Sequence, residues 1–177
     1  MPHLRLYVPQ EWLSDDFRTK TGFEATKLLD LLVQAVANLR MENPAIGAEC
    51  KAERESGRLM IDEDGRSDAA GKPIPSEIPV VNLNNLKHAI IPMQCAHVGG
   101  DSSAYFLHVT FAAGNDTPGR TAQVRSRAAQ ILGDEVDRFT AGLPGLASVT
   151  VHVQDIDRDR GYSTTAERRK KNKEGIT

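Results

Sequence analysis

The feature that most constrains the fold of this chain is a pattern of strand-like and helix-like segments that occurs twice. Three segments carry apolar residues at every second position, which is typical of half-buried strands. Their apolar positions are Leu4, Leu6 and Val8, then Leu107, Val109 and Phe111 within Ala104–Ala113, and Val149, Val151 and Val153 within Ser148–Gln154. Helical spacing over Phe23–Arg40 and Thr121–Ala141 predicts two helices, and Lys87–Val98 is predicted as a further strand.

The order is therefore strand, helix, strand, followed by strand, helix, strand. This order predicts an α+β fold: a duplicated β-α-β unit in two layers, with both helices on one face of the sheet. Thr21 or Gly22 is expected to cap the first helix, and residues 10–22 are interpreted as a connection. Pro92 suggests an edge strand or a bulge, and Gly99-Gly100-Asp101 is expected to turn the chain.

A charged segment rich in Gly and Pro interrupts the first half of this pattern. Residues 43–84 contain only a weak strand signal, at Arg58–Asp62, and are interpreted as an insertion. We therefore predict one domain over residues 1–157 with this insertion, followed by a basic, flexible tail over residues 158–177. The basic cluster in the tail has no interleaved aromatic residues, so we interpret it as solvated.

Composition excludes several classes of function for the chain of 177 residues. The formal net charge is −2, which indicates neither a nucleic acid nor a membrane as partner. No run of apolar residues approaches a membrane span, and the two cysteines, Cys50 and Cys95, are expected to be reduced in a cytoplasmic protein. The sequence contains no P-loop, dinucleotide fingerprint or Ser-His-Asp order, so we expect no cofactor of those kinds.

The faces opposite the apolar residues of the three alternating strands are both polar and aromatic. They carry His3, Arg5, Tyr7, Phe106, His108, Thr110, Thr150 and His152. This set is too polar for a monomer core and too aromatic for an ordinary wetted surface, so we expect the face to be covered by other copies of the chain. The spacing of the three histidines establishes no metal site, and we expect them to be partly buried on that face.

Pro2 is the first candidate catalytic residue. Removal of Met1 would leave Pro2 with a free secondary amine, and an α-amino group has a pKa of about 8, well below that of lysine. Burial or a nearby cation lowers such a pKa towards neutrality, where an amine can abstract a proton α to a carbonyl. A proline in second position is common, however, and on this evidence alone it has no special role.

Arg120 is the second candidate, because it follows a glycine-containing loop at the passage from a strand into a helix. A guanidinium near a helix N-terminus can bind a carboxylate through two parallel hydrogen bonds. Judged locally, an ordinary surface arginine is about equally probable.

The start PHLRLYV, the passage YFLHVTFAAGNDTPGR and the duplicated β-α-β plan together resemble the tautomerase superfamily, and within it most nearly 5-carboxymethyl-2-hydroxymuconate isomerase. The resemblance covers residues 2–9 and 104–154. It implies a homotrimer that isomerises a small unsaturated dicarboxylate in aromatic-acid breakdown without a cofactor. It also implies that Pro2 is the general base and that Arg120 binds a substrate carboxylate.

The sequence departs from that family at a second arginine, near the start of the second strand. The corresponding stretch, NLKHAIIPMQ, has none, so Lys87 is the nearest substitute, with Arg58 or Arg66 of the insertion as alternatives. Two rival functions therefore remain. One is hydratase or dehalogenase chemistry with a protonated Pro2, and the other is a non-catalytic trimeric binding or structural protein.

Overall fold

The computed structural model describes residues 2–43, 75–114 and 121–156, with only the backbone for Gly114, Asp155 and Ile156. Four long strands form its sheet, in the order β4-β1-β6-β7. The elements are β1 (His3–Pro9), a 3-10 turn (Gln10–Leu13), α1 (Asp15–Thr21), α2 (Ala25–Asn38), β2 (Arg40–Glu42), β3 (Glu77–Pro79), a second 3-10 turn (Leu83–Asn85), β4 (Lys87–Met93), β5 (His97–Val98), β6 (Asp101–Gly114), α3 (Ala122–Phe139) and β7 (Leu146–Ile156).

The sheet contains the predicted duplication. β1 is parallel to β4, with α2 between them in sequence, and β6 is parallel to β7, with α3 between them. The two halves join through the antiparallel pair β1 and β6. The short strand β5 also pairs with β6, on the β1 side. The Tyr105 N–H donates to the carbonyl oxygen of Gly145, just before β7, and the Phe106 N–H donates to that of Ala96, just before β5. Because successive N–H groups of a strand point to opposite edges, β5 and β7 lie on opposite edges of β6.

Both long helices pack on one face of the sheet and on each other. The core between the layers consists of the alternating residues of the strands and one stripe of each helix. Its fully buried members include Leu4, Leu6, Val8, Leu107 and Val109 from the strands, and Leu28, Leu32, Val36, Leu132 and Val136 from the helices. The α+β fold class predicted from the sequence is thereby confirmed.

Several local predictions need correction. The segment predicted as a connection contains the helix α1, whose N-cap is Ser14. Gly22 ends this helix in the left-handed conformation, so neither Thr21 nor Gly22 caps α2, whose N-cap is Glu24. The strand predicted over Lys87–Val98 is divided into β4 and β5.

The two ends of the predicted insertion meet in a small antiparallel ribbon formed by β2 and β3. Asn43 donates from its backbone N–H to Ser76 and from its side-chain amide to Pro75, both at 2.9 Å. Val80 and Val81 follow the ribbon and are buried in the core. The interior of the insertion, with Arg58 and Arg66, lies outside the described residues, as do Cys50 and the predicted tail.

Two further observations concern the helices and a cysteine. Among the helices of the described residues, none is long and apolar enough to span a membrane. Cys95, in the connection between β4 and β5, is exposed and is not in a disulfide.

Candidate active site

Pro2 lies directly before β1 and is buried. Its carbonyl oxygen accepts a hydrogen bond from the backbone N–H of Lys87, the first residue of β4, at 3.1 Å. Because β1 and β4 are parallel, their first residues lie at the same end of the sheet. The structure therefore brings together Pro2 and Lys87, two candidates that are 85 positions apart in the sequence.

The end of β6 and the start of α3, both in the second β-α-β unit, lie at the same end of the sheet. His3 is paired with Ala112 of β6, and β6 ends at Gly114, two residues further on. The Thr121 hydroxyl accepts a hydrogen bond from the Val124 N–H at 3.3 Å and so begins α3. Arg120, the residue before this cap, lies outside the described residues, and its role stays a prediction.

Several basic side chains lie at this end of the sheet. His3, Arg5 and Lys87 belong to neighbouring positions of β1 and β4. Partial burial lowers the pKa of His3 below its ordinary value, and the positive charges of Arg5 and Lys87 lower it further. Positive charge is therefore disfavoured at His3, the residue next to Pro2.

Sequence reasoning did not single out Arg125, which also lies near this end of the sheet. It is half-buried in α3 and lines a cavity of about 10 Å³ together with Phe111, Ala113 and Val80. A cavity of that volume holds about one water molecule. The sequence carries no signal for Arg125, because a basic residue near the start of a helix is usually solvated.

The polar and aromatic residues lie on the face of the sheet away from the helices, in three cross-strand rows. We call this face the open face. The rows are Ile91–Tyr7–His108–Thr150, Ala89–Arg5–Thr110–His152 and Lys87–His3–Ala112–Gln154. Seven of the eight residues predicted for this face stand in these rows, and Phe106, two positions before His108, is half-buried.

The histidines of the open face stand in separate rows. His108 contacts Tyr7 edge to face, with ring centroids 5.4 Å apart. Partial burial lowers the pKa of His108, and the neighbouring His152 lowers it further. In the part of the chain that the structure describes, no three His, Cys, Asp or Glu side chains are placed to hold a metal ion.

Comparison with known proteins assigns the fold. The structure matches a 5-carboxymethyl-2-hydroxymuconate delta-isomerase with a TM-score of 0.53 at 12% sequence identity, over 93% of this chain and 87% of that one. The chain has the tautomerase fold. The fold implied by the resemblance is thus confirmed. A sequence identity of 12% does not extend the resemblance to activity or substrate.

Two other solved structures are similar at lower scores. A 5-carboxymethyl-2-hydroxymuconate isomerase from Deinococcus radiodurans R1 has a TM-score of 0.49 at 12% identity, over 96% of this chain and 93% of that one. A fused 4-OT protein described as a symmetric trimer has a TM-score of 0.48 at 17% identity, over 92% of each chain. No protein-family model and no curated protein sequence matches the chain.

Proposed function

We propose that this chain is a cofactor-independent tautomerase of a small unsaturated keto- or hydroxy-acid and that Pro2, after removal of Met1, is its general base. The observation that carries the proposal is the position of Pro2. It is buried at the start of β1 in a tautomerase fold, beside Lys87 and at the end of the sheet where β6 stops.

The surroundings of Pro2 favour a base over an acid. Burial disfavours the protonated form of an amine, and so do the nearby positive charges of Arg5 and Lys87. A Pro2 nitrogen that is neutral at working pH has a lone pair with which to accept a proton. A hydratase or dehalogenase in which Pro2 is the proton donor requires the opposite electrostatic environment.

The reaction then needs no co-reactant. The Pro2 nitrogen removes a proton from a carbon α to the carbonyl, or from the enol oxygen, and the electron pair moves into the conjugated system to form a dienolate. The protonated nitrogen returns the proton to a different atom of the substrate, and neutral Pro2 is regenerated. Arg120 and Lys87 are the proposed partners of the substrate carboxylate and of the charge on the dienolate.

The proposal includes a homotrimer located in the cytoplasm. The open face has no helix over it among the described residues, and its half-buried Tyr7, Phe106 and His108 are suited to burial against another copy. A trimer without activity is the non-enzymatic alternative, and the assay below separates it from the proposal.

The test combines the intact mass of the purified protein with a kinetic assay. We expect a mass that lacks Met1 and measurable ketonisation of 2-hydroxymuconate-type acids. Because general base catalysis contributes about 10²–10⁴-fold, Pro2→Ala should lower kcat by about that factor. The apparent pKa of the acid limb of the pH–rate profile should lie below the ordinary α-amino pKa of about 8.

Pro144→Ala is the matched control, since Pro144 is exposed in the loop before β7, at the opposite end of the sheet. It should retain the wild-type kcat. Retention of Met1, or equal rates for the wild type and Pro2→Ala, would remove Pro2 from the mechanism. A rate that instead falls as the pH rises through a Pro2 pKa well above neutrality would favour the protonated-proline chemistries.

A further inference from the structure

The three rows of the open face contain basic side chains and no acidic ones. The basic residues are Arg5, Lys87, His3, His108 and His152. The remaining positions hold uncharged residues, namely Tyr7, Ala89, Ile91, Thr110, Ala112, Thr150 and Gln154. The rows therefore offer no carboxylate to compensate a positive charge that is added to them.

The positive charge of these rows depends on the pH. Arg5 and Lys87 carry permanent charges, whereas an ordinary histidine gains its proton near pH 6.5. Protonation of the three histidines raises the number of positive charges in the rows from two to five in each copy of the chain. This change takes place in a pH range in which aspartate and glutamate keep their charge.

His108 has uncharged neighbours on both adjacent strands. They are Tyr7 of β1 and Thr150 of β7 in its own row, with Phe106 and Thr110 beside it on β6. The charged or titratable groups in the next row are Arg5 and His152, both basic. Burial lowers the pKa of His108, and the nearby His152 lowers it further. The single chain therefore already disfavours a proton at this position.

His152 extends the same set of residues to the edge of the sheet. It is exposed on β7, opposite Thr110 of β6 and between Thr150 and Gln154 of its own strand. No strand lies beyond β7 among the described residues. Water therefore reaches this side chain in a single chain, and contact with another copy would remove that water.

His3 is the histidine nearest the candidate active site. Its cross-strand partners are Lys87 and Ala112, and Arg5 follows it on the same face of β1. Burial lowers the pKa of His3, and the positive charges of Arg5, the N-terminal amine and Lys87 lower it further. A second copy over this row would increase the burial and act in the same direction.

Contact between copies through the open face disfavours the protonated form of all three histidines. A buried cation is costly where no carboxylate pairs with it, and the rows supply none. Separate copies consequently take up protons more readily than assembled ones. By linkage, acid favours separation, and the assembly is most stable above the ordinary histidine pKa of about 6.5.

We propose that the open face is a pH-sensitive interface: the copies associate while His3, His108 and His152 are neutral, and they separate when these histidines are protonated beside Arg5 and Lys87. This inference rests on the trimer that forms part of the proposed function. It adds a control of that trimer by acidity, through residues of the face itself.

Light scattering and sedimentation of the full chain between pH 8 and pH 5.5 test the interface. We expect a trimer at pH 8, a smaller species at pH 5.5 and a dissociation constant that rises as the pH falls. Fluorescence of Trp12, the only tryptophan, monitors folding in the same samples. Because Trp12 is 2% exposed within a single chain, its emission should stay that of a buried indole while the copies separate.

His152→Gln removes one protonation site at an exposed position and keeps a polar side chain there. Each copy then takes up one proton fewer on separation. The slope of the logarithm of the trimer dissociation constant against pH should therefore become shallower by up to about three. Combining His108→Gln with His152→Gln should move the midpoint of dissociation to a lower pH. His88→Gln, at an exposed position of β4 outside the three rows, is the matched control and should dissociate as the wild type does.

The outcomes separate this inference from the proposed function. A wild type that is monomeric at pH 8 would remove the proposed trimer and the interface with it. A trimer whose dissociation constant is the same at pH 8 and pH 5.5 would overturn the pH dependence alone. Dissociation of the double variant at the wild-type pH would also overturn it, as would exposure of Trp12 in step with dissociation, because the copies would then unfold rather than separate.

Discussion

His108, on the open face, has a protonation equilibrium that depends on its folded surroundings. Its ring lies against Tyr7, its cross-strand neighbour, and both partial burial and His152 lower its pKa. In the unfolded chain the same histidine titrates near its ordinary value of 6.5. The unfolded state therefore takes up the proton first as the pH falls, so acid favours unfolding at this residue.

His108→Phe should reduce the acid sensitivity of the protein. The contribution of neutral His108 to folding stability is fully present above pH 6.5 and is lost as the pH falls through its lowered pKa. Between about pH 7.5 and 5 the wild-type Tm should therefore fall more than that of His108→Phe, whose ring keeps the contact with Tyr7. His88→Phe, at an exposed position of β4, is the control. Parallel Tm curves for the wild type and His108→Phe would contradict this account.

Contacts of individual residues were the features that the sequence predicted least well. Pro2 was distinctive only through its position in the chain, and its pairing with Lys87 depends on two strands that meet across an insertion. Trp12 carried no signal at all, because the lack of a partner for its indole N–H among the described residues is a property of the folded surroundings. A missing hydrogen-bond partner cannot be read from residue type.

Among the elements, those with long periodic patterns were predicted well. Alternation predicted β6 and β7, and helical spacing predicted α2 and α3 with bounds that differ by about two residues at each end. The shorter α1 was missed because its seven residues are mostly polar and contain only Phe17 as a large apolar side chain. Its N-cap Ser14 was the available signal.

Gly145 and Gly142, in the connection from α3 to β7, provide a matched pair at the element scale. Both have positive φ, at 79° and 78°, so alanine is strained at either position, by about 1–2 kcal/mol. A Cβ at Gly145 would lie 3.0 Å from the Ser103 carbonyl oxygen, whereas a Cβ at Gly142 meets no atom within 4 Å. Gly145→Ala should therefore lower the free energy of unfolding by more than Gly142→Ala.

Denaturant unfolding of the two variants measures this difference. The physical reason is the hydrogen bond from the Tyr105 N–H to the Gly145 carbonyl oxygen, at 2.7 Å, which holds the start of β7 close to β6. A carbonyl oxygen of the backbone cannot move away as a flexible side chain can. Equal losses of stability would mean that β7 shifts freely at this point.

At the scale of the whole molecule, the proposed assembly depends on the open face. Thr110 stands at its centre, with Arg5 on one side and His152 on the other. Thr110→Lys would place a second permanent positive charge in this row beside Arg5, and burial of that charge against another copy is costly without a partner. We expect light scattering to show a trimer for the wild type and a smaller species for Thr110→Lys.

Gln34→Lys makes the same charge change on the exposed side of α2, in the helical layer, and should leave the trimer intact. A monomeric wild type would contradict the proposed assembly outright. A Thr110→Lys trimer as stable as the wild type would instead show that another surface holds the copies together.

The sequence by itself determined the periodicities, and with them the α+β class, the duplicated β-α-β plan and the two faces of the sheet. These follow from local spacing, since every second residue of a strand and every third or fourth of a helix share a side. Only the tertiary structure decided that Pro2 meets Lys87, that Trp12 and the first residues of α2 line one cavity, and that Arg5 lies between Ala89 and Thr110. Such contacts depend on strand order and register, which join residues far apart in the chain.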